Sequence, residues 1–222
     1  MQVKLVSHST PTTEFTDQGI DDVQELIAFC ARVSNPSNQF NTETSEKLIK
    51  YLLKHKHFSP LEMVHACVEI ETTRDIARQM LRHASFRFQE FSQRYADPTK
   101  ELSFVLREAR LQDEKNRQNS IIVNDTELHE WWETAQQEVI ALVKKHYVEA
   151  INRGIAKECA RVILPEGNTV SKLYMAGSIR SWIHYIDVRA DESTQLEHRI
   201  VALACAKAIS SIFPMAAGLL DA

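Results

Sequence analysis

Apolar residues recur along this chain at two spacings, and each spacing predicts one kind of element. From residue 64 to residue 70 every second position is apolar, which is the period of a strand with one buried face. Further strands are predicted at residues 3–7, 102–108 and 169–177, and an irregular or strand-like segment at residues 86–95. The strands are few and short, and we expect a small, mostly antiparallel sheet.

Helical spacing dominates the rest of the chain, at residues 21–33, 42–55, 73–83, 127–153, 155–164, 178–188 and 193–213. The longest helix is expected to fill the core with Trp131, Trp132, Ala135, Val139, Leu142 and Val143. The last is expected to bury Leu196, Ile200, Leu203 and Ile209. We predict one α+β domain over residues 1–222, in which the sheet packs against several helices around a long central one. A polar loop or insertion with solvated charges is predicted near residues 110–126.

Composition and charge narrow the class of protein. The chain has 222 residues, of which 44% are hydrophobic and 25% charged, as in an ordinary globular domain. A net charge of -4 argues against general affinity for nucleic acid or anionic membranes, although a local basic cleft is compatible with it. No apolar run reaches the roughly 18 residues of a membrane span, and the N-terminus lacks a signal-peptide pattern, so we expect a cytoplasmic protein.

The cysteines, histidines and glycines argue against several familiar sites. No His/Cys cluster has zinc spacing, and no third ligand accompanies His55 and His57, so we expect no metal site. Five glycines leave little room for a Rossmann or P-loop fingerprint, and neither motif occurs. The four cysteines lie far apart in apolar contexts and are predicted to be buried free thiols: Cys30, Cys67, Cys159 and Cys205.

Residues 78–95, RQMLRHASFRFQEFSQRY, concentrate binding chemistry that a packed core does not need. Four arginines with hydroxyl and amide donors between them suit the oxygens of a phosphorylated small molecule or a nucleic acid. The phenylalanines are expected to supply apolar walls. The alternation of aromatic residues with Arg87 and Gln89 favours a binding site over the competing interpretation, surface ion pairs with Asp75, Glu90 and Asp97.

A second polar set lies within apolar segments of the C-terminal half: Arg161, Arg180, His184 and Arg189. Because a buried guanidinium needs an anion, a carboxylate or a ligand, the three arginines favour a ligand pocket, whereas His184 by itself is more typical of a structural histidine. Upstream, Ser59, Pro60 and Glu62 form a capping-box pattern with Ser59 as the N-cap. That pattern is compatible with a capped turn or with an anion bound at the helix start.

The arginine-rich stretch also resembles the signature of a known enzyme family. Arg82-His83-Ala84, followed by seven residues and Ser92, is similar to the Arg-His-Arg, seven residues, Ser signature of flavin-dependent thymidylate synthases. Ala84 departs from it, since the family most often has a second arginine there, which is expected to contact the flavin. Further similar blocks follow in order at residues 31–34, 57–62, 77–79, 161–165 and 180–189, and Gln195 and Glu197 also fit.

This resemblance implies a homotetramer of α+β subunits that share active sites at their interfaces and bind FAD without a Rossmann fold. It implies the conversion of dUMP to dTMP, with methylenetetrahydrofolate as the methylene donor and NADPH-reduced FAD as the hydride source. The implied partners are small molecules, with neither nucleic acid nor membrane among them. Much of the chemistry would be the cofactor's, while the protein positions and polarises the reactants.

The resemblance also implies roles for individual residues. Arg189 is implied to be catalytic, because a cation over the uracil would stabilise the negative charge that develops on the ring. The residues implied to hold dUMP are Gln79, Met80, Leu81, Arg82, Glu90, Phe91, Ser92, Gln93, Arg94, Arg161 and Arg189. Those implied to hold FAD are Ser34, His57, Ser59, Glu62, Arg82, His83, Ala84, Ser85, Glu90, Ser178, Ile179, Arg180 and His184.

Two alternatives come from other classes of protein. One is a catalytically inactive nucleotide-binding relative that has lost FAD together with the arginine at position 84; the presence of Ser92, Arg161 and Arg189 speaks against it. The other is a single-stranded nucleic-acid-binding module that uses the basic and aromatic stretch as a phosphate track. The net charge of -4 disfavours this module. The missing arginine is expected either to weaken FAD binding by roughly tenfold to a hundredfold or to be offset by nearby Arg87, and we predict that activity survives.

Overall fold

The computed structural model describes residues 1–215, and every element below lies in that range. The helices are α1 (Thr13–Thr16), α2 (Val23–Ala31), α3 (Ser45–Lys54), α4 (Arg74–Met80), α5 (Pro98–Glu101), α6 (Thr126–Asn152), α7 (Lys157–Ala160), α8 (Ile179–Ala190) and α9 (Leu196–Ser210). The strands are β1 (Gln2–His8), β2 (His65–Thr73), β3 (Arg87–Glu90), β4 (Arg110–Gln112), β5 (Ser120–Ile122) and β6 (Val170–Ser178). Short 3-10 helices lie at Pro36–Asn38, Ser59–Glu62 and Arg161–Ile163.

A four-stranded antiparallel sheet, in the order β1-β2-β6-β3, confirms the predicted α+β class. Its inner strands β2 and β6 pair along their whole length, from His65 opposite Ser178 to Thr73 opposite Val170. β2 leads directly into α4, and β6 leads directly into α8. Because the two strands are antiparallel, these helices begin at opposite ends of the same strand pair.

The main core lies between one face of this sheet and helices α8 and α9. Ala66, Val68 and Ile70 are buried on that face, as the alternation predicts. Trp182 of α8 is fully buried, and its indole Nε1 donates to the backbone oxygen of Ala66 at 3.1 Å. A buried indole that is both packed and hydrogen-bonded holds α8 firmly on the sheet.

Helix α6 confirms the predicted long helix but not its predicted core residues. Trp131, Val139 and Leu142 are 62%, 48% and 56% exposed, while Trp132, Ala135 and Val143 are only partly buried. The helix packs on the rest of the chain through Gln136, Ile140 and Tyr147. At about 100° per residue, the exposed apolar residues lie together on a different face from the buried ones. Helical periodicity identifies an apolar face, but it does not show whether that face packs against the rest of the chain.

Helix α9 also buries a different face from the one predicted. Ile200 is 42% exposed, and Leu196 and Leu203 are partly buried, whereas Ile209 is buried as predicted. The buried side chains are His198, Val201, Ala202, Cys205, Ala206 and Ile209. Small side chains allow close approach of a neighbouring helix, so the face with alanines and a cysteine packs inward.

Three predicted elements are wrong in extent. Residues 102–108 form no strand, because their backbone pairs with the loop before β6 through an isolated bridge from Phe104 to Thr169. Residues 155–164, limited by Gly154 and Pro165, hold only α7 and a 3-10 turn instead of one helix. Helix α4 stops at Met80, since the chain must turn before Arg87 to pair β3 with β6.

The polar segment near residues 110–126 contains a hairpin of β4 and β5. One of its charges is not solvated as predicted, because the Arg110 side chain is only 10% exposed. Its Nη2 donates to Glu197 Oε1 at 2.5 Å. A largely buried guanidinium needs such a partner, and this ion pair attaches the hairpin to the start of α9.

The four cysteines are free thiols, but they are not all buried as predicted. Cys205 is fully buried, Cys30 and Cys67 are partly buried, and Cys159 is exposed because α7 lies at the surface. Within residues 1–215, no helix is long and apolar enough to cross a membrane. The same residues contain no group of three or more His, Cys, Asp or Glu side chains arranged to hold a metal ion.

Candidate active site

Arg189 and His83 meet where the end of α8 approaches the turn after α4. Arg189 Nε donates to His83 Nε2 at 3.0 Å. Since a guanidinium only donates, this ring nitrogen must be unprotonated. Burial, and then the positive charges of Arg189 and His184, lower the pKa of His83 to about 4. The neutral imidazole therefore holds one edge of the guanidinium and leaves its two terminal nitrogens for other partners.

Behind His83, four polar side chains form a connected group. His198 is fully buried, and its Nε2 lies 3.2 Å from Tyr185 Oη while its Nδ1 lies 3.1 Å from Gln79 Oε1. Gln79 Nε2 in turn donates to Gln195 Oε1 at 2.8 Å. The Tyr185 ring packs edge-on against His83, with ring centres 5.0 Å apart. The sequence analysis missed Tyr185 and His198. The available signal was His198 itself, a histidine at the same helical spacing as the buried residues of α9.

Burial of His198 leads to a testable pH dependence of stability. Burial, and then the charges of Arg189 and His83, lower its pKa to about 4 from 6.5. Between these values the unfolded chain takes up a proton that the folded chain does not, so the free energy of unfolding should fall as the pH falls. The expected contribution approaches about 1.4 kcal/mol per pH unit. The free energy of unfolding, measured with denaturant at pH 7 and at pH 5, should fall less between these pH values in His198→Asn than in the wild type. An equal fall in both proteins would contradict this assignment.

The arginines of the candidate site divide into two groups. Among residues 1–215, four of these arginines have no carboxylate within ion-pair distance: Arg82, Arg87, Arg161 and Arg189. Such guanidinium groups can bind an anion without first giving up a partner. The other three form ion pairs, Arg78 with Glu166, Arg94 with Glu158 and Arg180 with Glu62.

Glu90, at the end of β3, has partners outside the arginine-rich stretch. Ser171 Oγ donates to its Oε1 at 2.8 Å, and Arg74 Nη1 lies 3.3 Å from the same oxygen. Asp75 likewise pairs with Arg107, at 2.9 Å. The competing interpretation, in which these acids neutralise the arginines of residues 78–95, is therefore wrong for both of them.

Glu62 connects the 3-10 turn at Ser59–Glu62 to the start of α8. Ser178 Oγ and Arg180 Nη1 each donate to its carboxylate at 2.5 Å. The Ser178 bond, followed by the Arg180 bond, holds the pKa of Glu62 below its usual range. The predicted capping box is wrong: Ser59 lies inside the turn, and the N-cap residue is Phe58, with no side-chain cap. The carboxylate is engaged by α8 and is not available to the turn.

The turn between α4 and β3 exposes Arg82 and Ala84. Arg87 folds back over this turn, and its Nη1 donates to the backbone oxygens of Ala84 and Phe86 at 3.2 and 3.0 Å. A guanidinium thus lies beside Ala84, although the sequence has no arginine at that position. Phe86 is not a ligand wall as predicted, because it is 3% exposed and packs against Trp182 in the core.

Ser92 and Arg94 lie in a different place. They line a cavity of about 310 Å³ together with Tyr95, Ala156, Lys157 and Glu158. Among residues 1–215, no hydrogen bond or ion pair joins Ser92 or Arg94 directly to His83 or Arg189. Within residues 1–215 the predicted dUMP residues therefore include two groups that no direct hydrogen bond or ion pair joins.

The remaining predicted residues differ in exposure. Met80 and Ile179 are fully buried, so their side chains pack in the core. Gln93 is buried, and its Nε2 has no hydrogen-bond partner among the described residues. Leu81 is partly exposed, at 39%, and Phe91 is partly buried. Five of the residues predicted to hold FAD are exposed at the surface: Ser34, His57, Ser59, Ser85 and His184.

Comparison with known proteins places this chain in a family. Residues 17–215 match the family described as thymidylate synthase complementing protein. A flavin-dependent thymidylate synthase from Synechocystis sp. is 47% identical over 221 residues, which cover 100% of both chains. This chain belongs to the flavin-dependent thymidylate synthase family. A probable flavin-dependent thymidylate synthase from Paramecium bursaria Chlorella virus 1 is 46% identical over 100% of this chain and 99% of the viral protein.

A solved structure shares the fold. The UMP/dUMP methylase PolB from Streptomyces cacaoi, crystallised with 5-Br dUMP, superposes with a TM-score of 0.79 over 99% of this chain and 94% of that chain. The two sequences are 22% identical, so this likeness concerns the fold. The resemblance of the Arg82-to-Ser92 signature is thus accompanied by family membership along nearly the whole chain, including all candidate residues from Ser34 to Glu197.

Proposed function

We propose that this chain is a flavin-dependent thymidylate synthase that converts dUMP to dTMP, with methylenetetrahydrofolate as methylene donor and NADPH as reductant of a bound FAD. Family membership over residues 17–215 supports the activity. The observation that carries it is Arg189, a guanidinium held by a neutral histidine and free of any carboxylate among residues 1–215. A fixed cation of this kind can stabilise negative charge that develops on a pyrimidine ring.

The donor set around the start of α8 fits an FAD. Arg180 and His184 lie one turn apart on the exposed face of α8, and Glu62 fixes Arg180. Arg82 and Arg87 add guanidinium groups at the neighbouring turn, and such groups suit the pyrophosphate of a dinucleotide. Ser59, Ser85 and the backbone near Ala84 would complete the site. When bound, the reduced flavin would supply the hydride that completes the methyl group.

The dUMP residues would bind and orient the nucleotide. Arg82, Arg161 and Arg94 supply charge for its phosphate, and the hydroxyl of Ser92 supplies a further donor. Among residues 1–215, no base is hydrogen-bonded to the Ser92 hydroxyl to activate it as a nucleophile, so we assign Ser92 to binding. Gln79 and Glu90 add an amide and a carboxylate for the neutral part of the nucleotide. Arg189 would lie over the ring and polarise it.

A homotetramer with shared sites would bring the two separate groups of dUMP residues together. The face of α6 that carries Trp131, Val139 and Leu142 supports this assembly, because a long helix with exposed large apolar residues is expected to bury them against another chain. We further propose that the assembly works in the cytoplasm, a reducing compartment that suits four free thiols.

Mixed assemblies provide a test of the shared sites. Arg189→Ala and Arg94→Ala subunits should each be inactive alone, but co-expression should restore measurable dTMP formation at sites built from the two intact halves. Arg189→Ala mixed with His83→Ala is the control, because these residues touch within one subunit and no mixture can repair that pair. Equal activity in both mixtures, or none in either, would contradict sites shared in this way.

The visible absorbance spectrum of the purified protein tests the proposed function itself. After FAD is added and the unbound excess removed, the protein should keep a flavin spectrum that bleaches with NADPH, and dUMP with methylenetetrahydrofolate should then yield dTMP. A colourless protein that binds dUMP but takes up no FAD would instead identify an inactive nucleotide-binding relative. Binding to single-stranded nucleic acid that weakens steeply with salt, without any flavin, would identify a nucleic-acid-binding module.

A further inference from the structure

A chain of hydrogen bonds runs from Tyr185 to the ion pairs at the start of α9. Tyr185 contacts His198, His198 contacts Gln79, and Gln79 contacts Gln195, at 3.2, 3.1 and 2.8 Å. Gln195 Nε2 then donates to Glu197 Oε2 at 3.0 Å. The chain is well shielded, since Tyr185 and His198 are fully buried and the others are partly buried.

Glu197 is the anchor of this chain. Arg110 Nη2 lies 2.5 Å from its Oε1, and Arg107 Nε lies 3.6 Å from the same oxygen. Arg107 is itself held by Asp75 at 2.9 Å. A carboxylate between two guanidinium groups is ionised, and an ionised carboxylate only accepts hydrogen bonds.

The direction of every bond follows from that single fact. Because Glu197 must accept, Gln195 must turn its NH2 group toward Glu197 and its oxygen toward Gln79. Gln79 must then donate to Gln195 and turn its own oxygen toward His198. His198 must carry its proton on Nδ1 and accept at Nε2 from the Tyr185 hydroxyl. Reversing any one member would leave two donors or two acceptors facing each other in a buried place, which is costly.

We propose that Glu197 and His198 are positioning residues that hold the Gln79 amide in one orientation, with its nitrogen presented as a donor for the nucleotide. The amide has two N–H groups, of which Gln195 uses one, so the second is left for an acceptor on the ligand. This inference rests on the proposed function, in which Gln79 binds dUMP. It adds that two residues which need not touch the nucleotide determine how Gln79 recognises it.

The tautomer of His198 provides a direct test on the wild-type protein. In long-range nitrogen–proton spectra of protein labelled with ¹⁵N-histidine, the His198 signals should show a proton on Nδ1 and a bare Nε2 at neutral pH. The spectrum of His198→Asn assigns these signals. A proton on Nε2 would reverse the chain and overturn the proposal.

Binding of dUMP provides the second test, by calorimetry on the FAD-loaded wild type and variants. Glu197→Gln should raise the dissociation constant by roughly threefold to tenfold, the loss expected for one misoriented neutral hydrogen bond. Asp75→Asn is the matched control, because it removes the other carboxylate partner of Arg107 but leaves the Glu197–Gln195 bond in place. His198→Leu should weaken binding to a similar extent, and His198→Asn should restore it in part, since an Asn amide can donate from the place of Nδ1.

The possible outcomes separate this inference from the proposed function. If the wild type does not bind dUMP at all, the proposed function fails, and the tautomer measurement still decides the direction of the chain. If the wild type binds dUMP but Glu197→Gln binds it no more weakly than Asp75→Asn, the positioning role is wrong. Thermal melting of each variant shows which remain folded, and the comparison of Glu197→Gln with Asp75→Asn decides the positioning role if His198→Leu does not fold.

Discussion

Replacing Arg189 with lysine should lower kcat for dTMP formation by roughly 100-fold to 1,000-fold, the effect typical of removing one preorganised group that stabilises charge in a transition state. Lysine keeps the positive charge, but its single nitrogen cannot occupy both the position of Nε beside His83 and the positions of the two terminal guanidinium nitrogens. Steady-state kinetics with saturating substrates measures the loss.

Two controls separate this catalytic effect from general damage. FAD absorbance and the dissociation constant of dUMP should stay within a few-fold of the wild type in Arg189→Lys. Arg78→Lys is the matched substitution, because Arg78 is exposed and paired with Glu166, and exposed pairs contribute about 0 to 1 kcal/mol. If the turnover of Arg189→Lys equals that of Arg78→Lys, Arg189 has no catalytic role.

Replacing Arg87 with glutamine should weaken FAD binding by roughly tenfold to a hundredfold, as expected for the loss of a charge-assisted hydrogen bond of about 1.5 to 3 kcal/mol. Its guanidinium lies beside Ala84, held by the backbone oxygens of Ala84 and Phe86, and so can take the place of the arginine that the family signature usually has there. Titration of the apoprotein with FAD, followed by flavin fluorescence, measures the change.

The double variant with Ala84→Arg gives the reciprocal control. If Arg87 substitutes for the usual arginine, Ala84→Arg should have little effect alone but should restore FAD binding to Arg87→Gln. A large rise in FAD occupancy and turnover from near zero in Ala84→Arg alone would instead mean that position 84 marks a real loss of flavin binding. If the FAD affinity of Arg87→Gln is unchanged, Arg87 does not contribute to FAD binding.

Elements made mainly by local sequence were predictable. The alternation in β2 and the helix start after Ser178 both appear in the structure, where Ser178 accepts a hydrogen bond from the Ser181 backbone to cap α8. Strand 102–108 failed because its residues pair with a loop, and a short apolar run does not reveal its partner. The predicted core residues of α6 and α9 were wrong because amphipathic spacing does not distinguish an internal neighbour from a second molecule.

The candidate site was predicted unevenly for the same reason. The motif around Arg82 and the spacing that leads to Arg189 identified residues capable of binding anions, because their chemistry is visible in their type. Tyr185 and His198 were missed, since a buried polar residue gains its meaning from partners that lie far away in the sequence. The capping pattern at Ser59 was misleading because Glu62 bonds across 116 positions to Ser178.

The sequence by itself determined the family, the α+β class, the strand β2, the long helix α6 and the set of arginines available for an anionic ligand. Only the tertiary structure decided which arginines are already neutralised by a glutamate, that His83 is neutral and holds Arg189, and that Glu197 directs a chain of hydrogen bonds to Gln79. The physical reason is that residue type sets what a group can donate, accept or bury, whereas its charge state and orientation depend on neighbours that folding brings together.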